Sequence, residues 1–193
     1  MIKNKNDLKR YLDWDKRVLV GNNRTKPRIF GEEVWKYQIA LRKLEYYENC
    51  SITFLDKIKL FFWRKVHHYY GILLGFDIPI NVFGPGLRIN HYGYIVVNGH
   101  AKIGAFCDIH QGVNIGQGNR IGESNMGCPI IGDNVWIGPG VKIYGGIQIA
   151  DDIQIGANAV VTKSFKEPGI TIGGVPAIKL SNNGNPFKRS FNN

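Results

Sequence analysis

From Val97 onward an aliphatic residue returns at every sixth position: Val97, Ile103, Ile109, Ile115 and Ile121, then, after a re-phasing, Ile131, Ile137, Ile143, Ile149, Ile155 and Val161. Glycine follows the aliphatic directly at Gly104, Gly116, Gly122, Gly132, Gly138 and Gly156. Small or β-branched residues, among them Ala101, Cys107, Val113, Val135, Val141 and Ala159, sit two places before it. The aliphatic must point inward and stack on its equivalents, while glycine permits turn geometry that a bulky residue resists. Each hexad is therefore one strand and one corner. Three hexads close a triangular coil of about eighteen residues, and stacked coils share parallel backbone hydrogen bonds around an interior ladder of Ile and Val. The 24 glycines of the 193 residues find their structural reason here.

Between Ile121 and Ile131 the step is ten, so about four residues leave the coil near Glu123–Cys128. An excursion loop on a rigid scaffold is where function collects, and this one reads as a flap over an active site. Before the repeats the texture differs. Residues 1–80 carry most of the aromatics and read as a helical N-terminal segment, residues 81–180 as the β-helix, and 181–193 as a flexible basic tail without a part in chemistry.

In the helical segment Leu55, Ile58, Phe62, Val66 and Tyr69 recur at steps of three and four, with Lys57, Arg64 and His68 off that stripe. Such a stripe is expected to pack on its own domain. The competing reading, with Phe61, Phe62 and Trp63 beside basic residues, is peripheral contact with an anionic membrane. The formal charge of +10 suits polyanions in general, but no nucleic-acid-binding motif accompanies it, so nucleic acid is not an expected partner. The N-terminus lacks an apolar signal core and no apolar run is long enough to span a bilayer, which points to a cytoplasmic protein, at most peripheral at the inner face of the membrane. Cys50, Cys107 and Cys128 form neither a CxxC pair nor an even set. His91, His100 and His110, spaced nine and ten, do not repeat with the coil and so are not expected to share an edge; no metal site is predicted from them.

The segment Asn90-His91-Tyr92-Gly93-Tyr94-Ile95-Val96-Val97 resembles the catalytic histidine segment of serine O-acetyltransferases, a branch of the hexapeptide-repeat acyltransferases. The resemblance continues through Ala101-Lys102-Ile103-Gly104, Val113-Asn114-Ile115-Gly116 and residues 129–138, closes with Gly174-Val175-Pro176-Ala177, and covers about half of the chain. It implies a mainly β fold, a left-handed parallel β-helix, and a homotrimer with each acyl-CoA cleft between adjacent prisms. It also implies that acetyl-CoA is the cosubstrate, with no metal, that His91 is the general base and that Asp77, across a one-residue gap, is its orienting carboxylate. Gly116, Gly138, Pro139, Gly156 and Ala157 match the family's CoA contact positions, and Lys163 and Lys166 are candidates for the CoA phosphates.

The chemistry agrees with those residue types. A hydroxyl near neutral pH is a poor nucleophile toward a thioester until a base takes its proton, and imidazole can take that proton and return it to the departing sulfur. Two departures from the family bear on the acceptor. Asn90 stands where serine acetyltransferases place an Asp, and Gly127-Cys128 where they place Arg-His in the flap. With Asn90, Tyr92, Tyr94 and Cys128 as candidate substrate contacts, the expectation is O-acetylation of a sugar hydroxyl in a bacterial surface polysaccharide or its precursor. Serine O-acetylation is the alternative, and a non-catalytic β-helix serving as a binding platform is the second.

Overall fold

The computed structural model describes residues 1–22, 24–118, 127–187 and 189. Three helices come first: α1 (Lys5–Val20), α2 (Glu33–Cys50) and α3 (Phe54–Leu74). Their boundaries are written in capping chemistry. The Asn4 side chain accepts from the Asp7 backbone N–H at 2.9 Å, and Thr53 and Asp56 cap each other's backbone at the start of α3. Gly75, at φ 75°, ends α3 and turns the chain into the first strand.

The remainder is a left-handed parallel β-helix with three faces. The first face stacks β1 (Phe76–Asp77), β3 (Ile95–Val97), β6 (Asn114–Gly116), β9 (Lys142–Tyr144) and β12 (Val160–Val161). The second stacks β4 (Lys102–Ile103), β7 (Ile130–Ile131) and β10 (Gln148–Ile149). The third stacks β2 (Arg88–Ile89), β5 (Asp108–Ile109), β8 (Trp136–Ile137), β11 (Gln154–Ile155) and β13 (Thr171–Gly173), with β14 (Ile178–Ser181) folded back antiparallel on β13. The ladder isoleucines point inward and are buried, each contributing about 1.5–3 kcal/mol of transfer free energy. The corners repeat as strictly as the strands. Gly112 and Gly140 take positive φ of 77° and 72° at equivalent turns, and Asn158 fills the next at 58°.

Two registers revise the expected spacing. Ile103 pairs with Ile131 and Ile115 with Ile143, so the ladder passes from Ile115 directly to Ile131. The excursion therefore holds ten residues beyond a six-residue step, not four, and begins at Gln117. Ile121, read as a ladder position, lies outside the described residues. The base of the excursion is closed by the Gly118 N–H donating to the Gly127 carbonyl at 2.9 Å.

The helices are joined to the β-helix by a buried ion cluster that the sequence reading missed. Arg42 of α2 pairs with Asp15 of α1 at 2.7 Å and Glu45 at 3.0 Å, and donates to the carbonyls of Phe83 and Gly84 at 3.0 and 2.7 Å. Asp15 in turn accepts from the backbone N–H groups of Gly86 and Leu87 at 2.8 and 2.9 Å. Every charge in the cluster has a partner, which is the condition under which buried charges are tolerated.

Two further expectations are corrected. The stripe of α3 does not pack on its own domain: Leu55, Ile58, Phe62 and Tyr69 are exposed, and α3 instead rests on α2 through the opposite face. Leu60, Trp63, His67 and Tyr70 on that side are half-buried. The helix offers two apolar faces, and α2 covers the one that carries Gly71 and Leu74. The described part of the tail is also not free. Asn185 is buried and donates through Nδ2 to the Asn134 carbonyl at 2.8 Å, and Arg189 reaches Asp108 at 3.4 Å. No helix among the described residues is long and apolar enough to cross a membrane.

Candidate active site

The corners between the third and first faces form one edge of the prism, and His91 stands on it. Ile89 pairs with Ile109 and Val97 with Ile115. Eight residues thus separate the lower pair of ladder positions where six separate the upper pair. The two surplus residues push this corner outward, and His91 and Tyr92 are both exposed. The surplus also undoes the expectation that His91 and His110 would lie on different edges. Their ring centroids are 6.3 Å apart, one coil above the other. His110 is fixed from behind, with Nδ1 3.0 Å from the Ile137 carbonyl and its ring 4.7 Å from that of Trp136. A carbonyl only accepts, so Nδ1 carries the proton in the neutral ring and Nε2 holds the lone pair. His100 lies on the next edge, between the first and second faces, with its backbone N–H donating to Asn98 Oδ1 at 2.9 Å. Among the described residues no group of three or more His, Cys, Asp or Glu side chains is placed to hold a metal ion.

Beneath His91 the structure adds a residue the sequence reading did not single out. Asp108 is fully buried in β5 and accepts from Asn90 Nδ2 and from Arg88 at 2.9 Å. The Asn90 side chain is therefore committed to the scaffold and not presented to an acceptor. The eighteen-residue period would have set Arg88 against Phe106, so no sequence signal pointed to this pair. Tyr92 and Tyr94 are both exposed beside His91. Asp77 stands on the first face. It pairs in register with Val96 and lines a cleft of about 390 Å3 with His67, His68 and Tyr94, a lining that does not include His91.

Above His91 on the same edge stand Gly138-Pro139 and then Gly156-Ala157, stacked by the Asn158 N–H donating to the Pro139 carbonyl at 2.8 Å. A Cβ on Gly138 would lie 2.8 Å from the Ile155 carbonyl oxygen and 2.9 Å from the Ala157 nitrogen, so coil stacking alone demands glycine there. At Gly156 a Cβ would meet nothing nearer than 3.5 Å. The missing side chain at Gly156 thus leaves room that packing does not need, which suits close approach of a slender ligand to the backbone.

The other candidates fall elsewhere. Gly116 begins the edge that carries the excursion, and a Cβ there would run into the Tyr144 ring of the next coil. Cys128 ends the excursion on that edge; it is buried, and burial pushes its thiol above the usual range, so it remains protonated. Lys163 stands on the same edge, its ammonium 5.5 Å from the Phe165 ring. Lys166 lines a shallow cavity of about 300 Å3 on the second face with Ile130 and Gln148. A further cavity, about 700 Å3, is lined by residues of α1, α2 and the loop between them, with none from the β-helix.

Residues 128–163 match the family of bacterial transferase hexapeptide (six repeats). A serine acetyltransferase of Staphylococcus aureus is 30% identical over 158 residues, which cover 82% of this chain and 68% of that relative. The chain belongs to the serine acetyltransferase family. A second member, from Mycobacterium tuberculosis, is 36% identical over 111 residues, 57% of this chain. The chain spans about half the length of that relative and of another from Synechococcus elongatus. The crystal structure of a serine acetyltransferase from Brucella abortus in complex with coenzyme A superposes with a TM-score of 0.70 at 24% identity, covering 94% of this chain and 70% of that one, a likeness of fold. The family's hexapeptide coil accounts for the stacked edge that carries His91.

Proposed function

We propose that the protein is an acetyl-CoA-dependent O-acetyltransferase whose general base is His91 and whose acceptor is the hydroxyl of serine. The observation that carries this reading is the exposed His91 at the foot of an edge of small residues, in a chain belonging to the serine acetyltransferase family. The acceptor hydroxyl gives its proton to the His91 ring as its oxygen attacks the thioester carbonyl. The C–S bond then breaks, and His91 returns the proton to the CoA sulfur. No covalent enzyme intermediate is needed, and the buried, protonated Cys128 does not supply one. The corner that carries His91 is held through Asn90, whose side chain is bonded to Asp108 beside Arg88.

A homotrimer is part of the same proposal, and the placement of the candidates suits it. His91, Tyr92, Gly138, Pro139, Gly156 and Ala157 stand on one edge, whereas Gly116, Cys128 and Lys163 stand on another, with the first face between them. Adjacent prisms would bring the two edges together in one cleft. Sedimentation of a fully active monomer would refute this assembly.

A second reading, acetylation of a sugar hydroxyl in a surface polysaccharide or its precursor, rests on the acceptor-side residues. Asn90 is bound to the scaffold and Gly127-Cys128 bears no cation, so neither of these positions offers an ionic partner to an ammonium or a carboxylate. Leaving such charges unpaired in a closed site is harsher than poor fit. Thiol release from acetyl-CoA, followed with L-serine and with sugar acceptors in parallel, decides between the two. Turnover with millimolar serine supports the first reading; turnover with a sugar and none with serine transfers the assignment to the second. Absence of CoA binding by calorimetry would reduce the chain to a β-helical binding platform.

A further inference from the structure

The outward face of α3 is the least explained surface of the molecule. At about 100° per residue, Leu55, Ile58, Phe61, Phe62, Tyr69 and Ile72 fall in one sector about 120° wide. All six are exposed, Leu55 at 65%, Phe62 at 55% and Ile72 at 71%. The stripe runs nearly the whole 21-residue helix, about 31 Å. A continuous exposed apolar band of this kind marks a docking surface.

Charge selects the occupant. Lys57 and Arg64 lie along one border of the stripe and Lys59 along the other, while Lys65 stands within it, its ammonium 5.5 Å from the Phe61 ring. The one acid of α3, Asp56, lies on the far side and is held by the Thr53 cap. Glu48, beyond the border, is paired with Arg64 at 2.7 Å. The stripe therefore offers apolar side chains and cations with no uncommitted carboxylate along it. A second copy docking stripe to stripe would enclose Lys65 in an apolar seam opposite more cations, a costly arrangement for a charge. At a lipid surface the Lys65 stem lies among acyl chains while its ammonium reaches the headgroups.

We propose that α3 docks the protein on an anionic lipid bilayer, lying in the plane of the interface with the Leu55–Ile72 stripe against the acyl chains and Lys57, Lys59 and Lys65 among the phosphates. The chain's charge of +10 adds long-range attraction to the same surface. Ile72 belongs both to this stripe and to the cleft that contains Asp77 and Tyr94, so the docked molecule presents that cleft close to the lipid. This surface is independent of which acceptor the enzyme takes.

The test is co-sedimentation of the full chain with vesicles of phosphatidylcholine alone and of phosphatidylcholine mixed with phosphatidylglycerol. Binding is expected to the mixed vesicles only, and to weaken as salt is raised. Phe61→Ser with Phe62→Ser should lower partitioning by at least about tenfold. Lys57→Glu with Lys65→Glu should do the same by a separate route. Both pairs should keep the wild-type Tm, because none of these side chains packs in the fold. Failure to bind mixed vesicles, or equal binding to phosphatidylcholine alone, overturns the proposal. So does a wild-type assembly that the Phe variants split while vesicle binding is absent, which would make the occupant a second copy.

Discussion

His91 and His110 share one edge of the β-helix because the corner carrying His91 holds two residues more than the corner above it, which brings their rings to 6.3 Å. The lower ring is exposed, while the upper is tied to a carbonyl. The two are therefore expected to differ in function. His91→Ala should lower turnover by about two to four powers of ten with CoA binding retained, the range for a lost general base. His110→Ala should cost about tenfold or less. Thiol-release kinetics beside calorimetry with CoA measures both, and near-normal turnover in the His91 variant would remove the mechanism.

Asn90→Asp restores the residue type of the family but not its setting. The Nδ2 donor to buried Asp108 would become a second carboxylate facing the first, leaving an acceptor without its hydrogen. A loss of about 1–3 kcal/mol in urea denaturation is expected, with no gain in serine acetylation. Unchanged stability would show that Asn90 is not held as described.

Arg42 bonds two carboxylates and two backbone carbonyls at once, in a fork that only guanidinium provides. Arg42→Leu strands Asp15 and Glu45 in the interior and should destabilise by about 3–5 kcal/mol. Arg42→Lys should recover only part of this. Urea midpoints at constant m-value would report both.

Burial lowers the His67 pKa from 6.5 to about 4, and its Nε2 lies 3.1 Å from the Tyr37 hydroxyl. Below pH 6.5 the unfolded chain takes up a proton that the folded one refuses, so unfolding gains. Stability should be full above about pH 6.5 and fall progressively toward pH 4. His67→Gln, which cannot titrate, should show a flatter Tm against pH over that window. Parallel curves for the two proteins would contradict the burial of His67.

The ladder was legible because each isoleucine answers one steric demand repeated without change. What failed was counting across irregularities. Counting through Ile121 put the re-phasing after that residue, whereas the register passes from Ile115 to Ile131. The surplus pair near His91 was invisible because no ladder residue precedes it in phase. Periodicity marked the stripe of α3 correctly but not its direction, since Trp63, His67 and Tyr70 make a second semi-apolar face that α2 could cover instead. The Arg42 cluster joins residues far apart in sequence, and its burial could not be read from any local pattern.

The ends of the stack have a consequence for assembly. At the start, α3 packs against β1 and α1 against β2. At the finish, β14 reverses on β13, Phe165 bridges Ile149, and residues 174–177 bond the backbone of Val160. Each face of a parallel solenoid is otherwise an open template, able to recruit the strand of another chain and continue indefinitely. Here the last strand of the third face is covered by one of the wrong direction to be copied, and the last strands of the other two faces by short bridging segments instead of full strands. The same coil geometry that would serve a fibre is thus confined to a single particle of fixed height, and a chain trimmed before Ile178 would lose the stop that keeps its third face from propagating.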